Sequence, residues 1–434
     1  MEALIIKIVT LGCKVNQCES AAIAATLKAN MFDASEGLDP ADVYILNTCS
    51  VTAEADKKSR QYIAKMRKLN PECRIIVVGC SSQNKPENFN KPNVFAVGGT
   101  DNKEKFVLTC VNKLQNDNKY SILSDKVLYQ NTHDIAQSNV SYSNISKCAF
   151  SDKTRSFIKI QDGCDRFCSY CIIPYLRERS RSRAINDIIS ECSISNSMEL
   201  VLTGIDISEY GKETGESLVN LIEALSVLNK RIRLGSLECE VISDELLEAM
   251  LKGGCCPHFH LSLQSGNDVV LRSMNRRYTT DFYYDKIRLI RKYFPLAGIT
   301  TDVIVGFPTE TDECFDLSCE FIQKCEFSDI HVFPYSSREG TVASKKYTVL
   351  PPDIINKRMD CLLSIKKRVH SEFLKKNLNT VAPVYVEEFV GGYNVGYTPN
   401  YIKVYSDAPC GKIFELKLIK PFKDGLIGTC INKG

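Results

Sequence analysis

The chain has 434 residues, a formal net charge of +3 and 20 cysteines. That length fits roughly two or three soluble domains, and no apolar run approaches the roughly 20 residues that a membrane-spanning helix needs. So small a net charge does not by itself announce a nucleic-acid partner, which leaves any such contact to local patches. The first residues, Met1 to Lys7, lack a basic region followed by a long apolar stretch. No secretory signal is therefore expected, and a cytoplasmic chain keeps its thiols reduced. Grouped cysteines then read as metal or catalytic sites. The scattered Cys73, Cys110, Cys192, Cys239, Cys314, Cys319, Cys325, Cys361, Cys410 and Cys430 are expected to fill cores as small hydrophobes.

In chain order, strand-like runs at 4–9, 43–46 and 75–78 each end at a cysteine: Gly12-Cys13, Asn47-Thr48-Cys49 and Gly79-Cys80. Helical stretches follow the first two, over about 19–29 and 53–69. This alternation predicts a doubly wound parallel sheet. The cysteines are spaced by about one βαβ unit of about 30 residues, and ligands gather at the carboxyl ends of parallel strands. Cys13, Cys49 and Cys80 are therefore expected to converge, with no fourth protein ligand apparent.

A Ser- and Asn-rich stretch over 131–146 reads as a linker. After the apolar run 157–160 comes Gly163-Cys164-Asp165-Arg166-Phe167-Cys168-Ser169-Tyr170-Cys171, with cysteines spaced C-x3-C-x2-C. Soft thiolates match iron–sulfide cores, which normally take four of them. Three leave one iron open to a substrate or cofactor. Structural zinc would want a fourth ligand close by, whereas His133 and His258 are distant in sequence.

Strand runs then recur at 200–202, 231–234, 258–263, 299–305 and 329–333, with helical stretches such as 218–228 and 281–293 between them. With the strand before Cys164 they make about six βα units, fewer than the eight of a closed barrel, and predict a partial (β/α)6 barrel. A basic helix over about 352–376 leads to short strands at 384–387, 401–405 and 413–418. These suit a small antiparallel β-barrel of the RNA-binding kind.

Taken together, these motifs resemble the radical S-adenosylmethionine (SAM) methylthiotransferases over essentially the whole chain. The resemblance rests on Gly12-Cys13-Lys14-Val15-Asn16-Gln17, Asn47-Thr48-Cys49-Ser50-Val51-Thr52, Val78-Gly79-Cys80 and the Cys164 triplet. Leu263-Gln264-Ser265-Gly266, Asp302-Val303-Ile304-Val305-Gly306-Phe307-Pro308 and Gly396-Tyr397-Thr398-Pro399-Asn400-Tyr401-Ile402-Lys403-Val404 extend it. It implies a methylthiotransferase domain at 1–130, a linker at 131–152, a radical SAM domain at 153–376 and a TRAM β-barrel at 377–434.

Two 4Fe-4S clusters are implied with it. Cys164, Cys168 and Cys171 would hold the one that cleaves SAM to a 5'-deoxyadenosyl radical. Cys13, Cys49 and Cys80 would hold an auxiliary cluster carrying the sulfur to be donated. One SAM would methylate that sulfur, and a second would yield the radical that takes hydrogen from C2 of an adenine. Tyr170, Thr203, Gly204, Glu238 and Gln264 are the implied SAM contacts.

The Gly-Cys-Lys-Val-Asn-Gln form and the Gly-Tyr-Thr-x-Asn-Tyr-Ile-Lys-Val strand resemble the branch that modifies N6-threonylcarbamoyladenosine at position 37 of tRNA. A sister branch acting on N6-isopentenyladenosine tends to carry Gly-Cys-Gln-Met-Asn, and a third modifies an aspartate of a ribosomal protein. The implied partners are a tRNA anticodon stem-loop, an electron donor of flavodoxin or ferredoxin type and a sulfur donor, with no membrane.

Cys18 stands where the family often has Tyr, Glu178 where it has Gly, and Ser81-Ser82 follow Cys80. Arg177, Arg179, Arg181 and Arg183 recur every second residue beside the radical motif. They are the expected phosphate contacts, with Tyr397 and Tyr401 expected to stack on unpaired bases. A rival reading is an iron–sulfur RNA-binding or electron-transfer protein without radical chemistry. It fits less well, because electron carriers normally close all four iron positions with cysteine.

Overall fold

The computed structural model describes residues 4–116, 128–129 and 154–431; the linker expected at 131–152 lies outside the described residues. Six strands form the first sheet: β1 (Ile5–Thr10), β2 (Asp33–Glu36), β3 (Val43–Thr48), β4 (Arg74–Gly79), β5 (Val94–Val97) and β6 (Leu128–Tyr129). All pair in parallel, in the order β2-β1-β3-β4-β5-β6. Every residue of β3 is buried. One face packs Ile45 with Ile23 and Val107, the other packs Leu46 with Ile63 and Met66. Cover on both faces is why this strand reads as an unbroken apolar run rather than an alternation. The polar edge strand β2 and the two-residue β6 lack that signal. The chain leaves β1 toward β2 on one side and β3 on the other, so the crevice beyond β1 and β3 is a topological switch point. The three early cysteines follow β1, β3 and β4.

The next strand is β7 (Arg155–Lys159), after which β8 (Gln161–Asp162) and β9 (Arg181–Ser182) pair antiparallel and close the Cys164 loop at its neck. Then come β10 (Glu199–Thr203), β11 (Arg231–Leu234), β12 (Ser236–Leu237), β13 (His258–Leu261), β14 (Gly298–Val305) and β15 (Asp329–Pro334). They form two parallel sheets, β7-β10-β11 and β12-β13-β14-β15. Because only Gly235 separates β11 from β12, they share one strand position, and six positions follow in chain order as an open (β/α)6 barrel. Its core lies outside the strands, where Leu200, Leu202, Ile232, Phe259 and Ile299 meet Leu221, Leu246, Ile287 and Ile322 of the covering helices.

The helix Pro352–Lys376 runs to a closed barrel of β16 (Val381–Val390), β17 (Tyr393–Tyr397), β18 (Lys403–Ser406), β19 (Ile413–Phe422) and β20 (Gly425–Cys430). Four of its pairings are antiparallel and one, β18 with β20, is parallel. Tyr401, expected on a strand, sits in the turn before β18 at φ 70°. That turn docks on the central barrel: Asn400 Nδ2 donates to Leu296 O at 2.8 Å, and Arg233 Nη1 donates to Pro399 O at 2.9 Å. The scattered cysteines divide. Most are buried as expected, but Cys361 and Cys410 are exposed and Cys430 is half-buried. Cys361 lies on the helix Pro352–Lys376, and Cys410 Sγ donates to Asn394 Oδ1 at 3.4 Å.

Gly79 joins β4 to Cys80 at φ 113°, and a Cβ there would lie 2.5 Å from Thr48 O. Gly79→Ala should therefore loosen the β3–β4 seam by about 1–3 kcal/mol or more. Hydrogen exchange of the β3 and β4 amides measures this; unchanged protection would refute it.

Candidate functional site

The loops after β1 and β3 meet because of two residues. Gly12 is left-handed at φ 95°, and a Cβ on it would lie 2.5 Å from Cys49 Sγ. Asn16 Nδ2 donates to Leu11 O at 2.7 Å and Thr48 O at 2.8 Å. This lock lets the helix Lys14–Ala29 begin directly after Cys13, five residues earlier than its apolar pattern suggests. Cys13, Cys49 and Cys80 all line one cavity of about 1130 Å³. Burial pushes the Cys49 thiol up to about 11, with Cys80 and Cys13 adding to the effect. Burial also raises Cys13, against the pull of Arg177.

The second triplet sits in a loop folded back on itself. Gly163, at φ 77°, has no room for a Cβ, which would lie 2.0 Å from Arg179 O. Cys164 N donates to Glu178 O at 3.1 Å, and Cys171 N to Cys168 O at 3.0 Å. Burial drives both Cys164 and Cys171 up to about 12. Cys80 packs with Ile172, Ile173, Leu176 and Cys171, so the two triplets adjoin. Each also has a buried arginine at one sulfur: Arg177 Nε is 3.3 Å from Cys80 Sγ, and Arg276 Nη1 is 3.4 Å from Cys168 Sγ.

Among the described residues, no three His, Cys, Asp or Glu side chains surround one point as a single metal ion requires. A cubane asks for something else, since each iron takes its own thiolate and the ligands stand apart around the core. Buried thiols with raised pKa values become ligands only by losing their protons to a positive centre. Two sulfur-only triplets, each with an N–H donor, fit such a group.

The departures from the family pattern find physical explanations. Glu178 sits at φ 64°, where glycine is at ease and a side chain is strained. It is its carbonyl that holds Cys164, so the substitution strains the loop without removing that contact. Cys18 is buried against Ala22 and Phe157, with its Sγ 3.4 Å from Phe157 O. It is a packing residue outside the cavity lining.

The four arginines expected on RNA do not form a surface stripe. Arg177 is 1% exposed. Its Nη1 reaches Glu19 at 2.8 Å and Asp162 at 3.0 Å, and its Nη2 reaches Asn16 Oδ1 at 3.0 Å. Lys159 pairs with Glu19 at 2.7 Å and Asp162 at 2.8 Å, while Lys103 pairs with Glu19. Arg183 is buried against Glu191 at 2.6 Å, and Arg181 is half-buried between Asp162 and Glu178. Arg177 and Arg183 are thus corrected from RNA contacts to interior ion pairs, Arg177 with Glu19 from the first helix and Arg183 with Glu191 from the helix that follows it. Arg179 alone of the four is exposed.

Of the residues expected at SAM, Thr203 and Gly204 line the cavity at the end of β10. Tyr170, Glu238 and Gln264 lie outside that lining. Tyr170 meets Phe307 edge-on at 6.5 Å, Glu238 is ion-paired with Arg276, and Gln264 N donates to Asp302 O at 2.8 Å. Tyr397 and Tyr401 stack 4.9 Å apart at the cavity's other wall.

The cavity is the lumen of the open barrel, and charged and imidazole side chains are set among its apolar lining. Arg155, Arg233, His258, His260, Asp302 and His331 line it, and four of the chain's five histidines are among its lining residues. These residues carry a readable signal in the sequence. Arg231-Ile232-Arg233-Leu234 and His258-Phe259-His260-Leu261 alternate polar with apolar, whereas parallel strands buried on both faces run continuously apolar.

Arg177→Met would remove the cation shared by Glu19 and Asp162, leaving them to Lys103, Lys159 and Arg181, and should cost about 3 kcal/mol, read from the urea unfolding midpoint. Burial opposes ionisation of Glu19, yet Arg177, Lys103 and Lys159 hold its carboxyl well below the usual range. A depressed carboxyl stabilises fully above its unfolded pKa of about 4.3 and loses that contribution as the pH falls further. The wild-type midpoint should drop below about pH 4, and Arg177→Met should be less acid-sensitive; a midpoint unaffected by either change would refute the network's role.

Family models match the chain twice: Uncharacterized protein family UPF0004 over residues 5–98 and the Radical SAM superfamily over residues 158–322. The chain is 35% identical to the threonylcarbamoyladenosine tRNA methylthiotransferase MtaB of Bacillus subtilis (strain 168), over 96% of this chain and 94% of that protein. It is 34% identical to the tRNA-2-methylthio-N(6)-dimethylallyladenosine synthase of Fervidobacterium nodosum, over 88% and 87%. Among solved structures it is similar in fold to the radical SAM methyltransferase TsrM of Kitasatospora setae, with a TM-score of 0.56, 12% identity and coverage of 79% and 77%. The chain is an enzyme belonging to the radical S-adenosylmethionine methylthiotransferases.

Proposed function

We propose that this enzyme methylthiolates C2 of N6-threonylcarbamoyladenosine at position 37 of tRNA. The observation that carries the reading is the shared cavity: three cysteines at the ends of β1, β3 and β4 line the lumen of the barrel together with its arginines and histidines, and the terminal barrel's tyrosines line its far side. The similarity to threonylcarbamoyladenosine methylthiotransferases over nearly the whole chain supports the substrate.

Cys164, Cys168 and Cys171 would hold one 4Fe-4S cluster, and Cys13, Cys49 and Cys80 a second. With two SAM per turnover, these groups supply radical chemistry and the sulfur to be inserted. The chain's own residues do the rest. Arg177 and Arg276 donate N–H bonds to the sulfurs of Cys80 and Cys168 and so would orient these ligands. Thr203 and Gly204 shape the strand end where SAM would lie. Tyr397 and Tyr401 offer stacking surface to an unpaired base of the anticodon loop. The walls of the lumen position the base and thin out the water around it. Electrons would come from a carrier of flavodoxin or ferredoxin type, and sulfur from a separate donor.

Reconstituted enzyme should hold about eight irons, falling to about four when Cys13, Cys49 and Cys80 are all Ala; unchanged iron would remove the second cluster. Mass spectrometry of tRNA nucleosides from a deletion strain should show loss of 2-methylthio-N6-threonylcarbamoyladenosine. Loss of the isopentenyl product instead, or an altered ribosomal protein with unchanged tRNA, would overturn the substrate.

A further inference from the structure

The lumen wall nearest Cys13 is backed by more positive than negative charge. Arg155 and Arg233 line it, and with Arg231 behind them they converge on one buried carboxylate, Glu199; Arg155 also pairs with Glu387. Lys14 adds a fourth cation beside them. Its side chain lines the cavity, and its nearest ring is Phe157, at 5.9 Å from Nζ. The ammonium of Lys14 has no ion-pair or hydrogen-bond partner among the described residues. Next to this group lies His258, 8% exposed, with both ring nitrogens unpartnered and its face stacked 4.8 Å from Tyr401. Four cations against two carboxylates, with an unpartnered imidazole beside them, form a wall that wants an anion with hydrogen-bonding capacity.

We propose that Lys14, with His258 beside it, binds the carboxylate of the threonyl group and so selects the threonylcarbamoyl base. This rests on the substrate reading given above. In adenine, N1 stands between C2 and C6, so a tail on the N6 amine lies on the same edge as C2. A base that turns C2 toward Cys13 therefore carries its tail toward the residue that follows Cys13. Threonylcarbamoyl brings a carboxylate, a hydroxyl and a urea to that place. An isopentenyl tail brings only hydrocarbon, and would leave the Lys14 charge desolvated and unpaired. The surplus charge thus discriminates between two substrates that differ in that tail alone.

A backbone phosphate of the same RNA offers similar chemistry, and binding experiments separate the two sources. The probes are anticodon stem-loops carrying adenosine, N6-threonylcarbamoyladenosine or N6-isopentenyladenosine at the target position. They are titrated by fluorescence anisotropy against reconstituted enzyme without reductant, so that no turnover occurs. Wild type should bind the threonylcarbamoyl stem-loop roughly ten-fold tighter than the adenosine one, the scale of one charge-assisted hydrogen bond. Lys14→Gln, with its iron content confirmed unchanged, should lose that preference while keeping its affinity for the adenosine stem-loop, and Lys14→Arg should restore it. Equal weakening toward all three stem-loops would mean a phosphate contact and overturn the proposal. A Lys14→Gln enzyme that still prefers the threonylcarbamoyl stem-loop would overturn it alone. A wild type that prefers the isopentenyl stem-loop would overturn the substrate reading as well.

Discussion

The guanidinium of Arg177 is the interaction on which the arrangement of the two cysteine triplets depends. From one buried point it reaches Asn16 and Glu19 of the N-terminal helix, Asp162 at the neck of the Cys164 loop, and the sulfur of Cys80. Charges taken out of water stabilise little unless every partner is present. If the two units came apart, Glu19 would keep only Lys103 and would lose both Arg177 and Lys159. A network of this kind fixes register more than it adds stability. It sets the β1 and β3 loops against the radical loop through hydrogen bonds of fixed direction, which apolar packing alone would not do.

The symmetry at the sulfurs follows from the same logic. Burial makes Cys13 and Cys49 of one triplet, and Cys164 and Cys171 of the other, resist ionisation, and each triplet has a single arginine donating to one sulfur. Arg276 is itself held by Glu238 and by Ser262 O at 3.0 Å, as Arg177 is by Glu19 and Asp162. The donors are thus fixed before any ligand arrives, and hydrogen bonds to sulfur are one of the ways a protein tunes what is bound there.

Much of this was legible in the chain. The cysteines announce themselves by spacing, and their convergence follows from strands that all point one way. The open barrel follows from six βα repeats, and the terminal barrel from short strands between turns. What was not legible depends on residues far apart in sequence. Arg177 reads as part of a solvated stripe because nothing near it in sequence reveals Glu19, on a helix of another unit, as its partner. The start of the first helix was missed because Asn16 fixes it by bonding to Thr48, across the sheet. Tyr401 reads as strand, yet its backbone turns left-handed where the terminal barrel docks. The charged and imidazole groups of the lumen are a different case: their signal, the alternation in β11 and β13, lies in the sequence itself.

The depth of the cavity behind Tyr397 and Tyr401 bears on how a nucleotide could use it. A base stacked between neighbours cannot present C2 at the floor of a pocket walled by three units. It has to swing out about its own backbone, giving up stacking worth a few kcal/mol. Tyr401 as it stands returns little of that loss, because its ring is already stacked on Tyr397 at 4.9 Å and on His258 at 4.8 Å. On the proposed reading only the tail recovers it, and an adenosine without a modification gains nothing by entering. Recognition on such terms is kinetic: the wrong nucleotide enters and leaves, and the right one stays long enough to react.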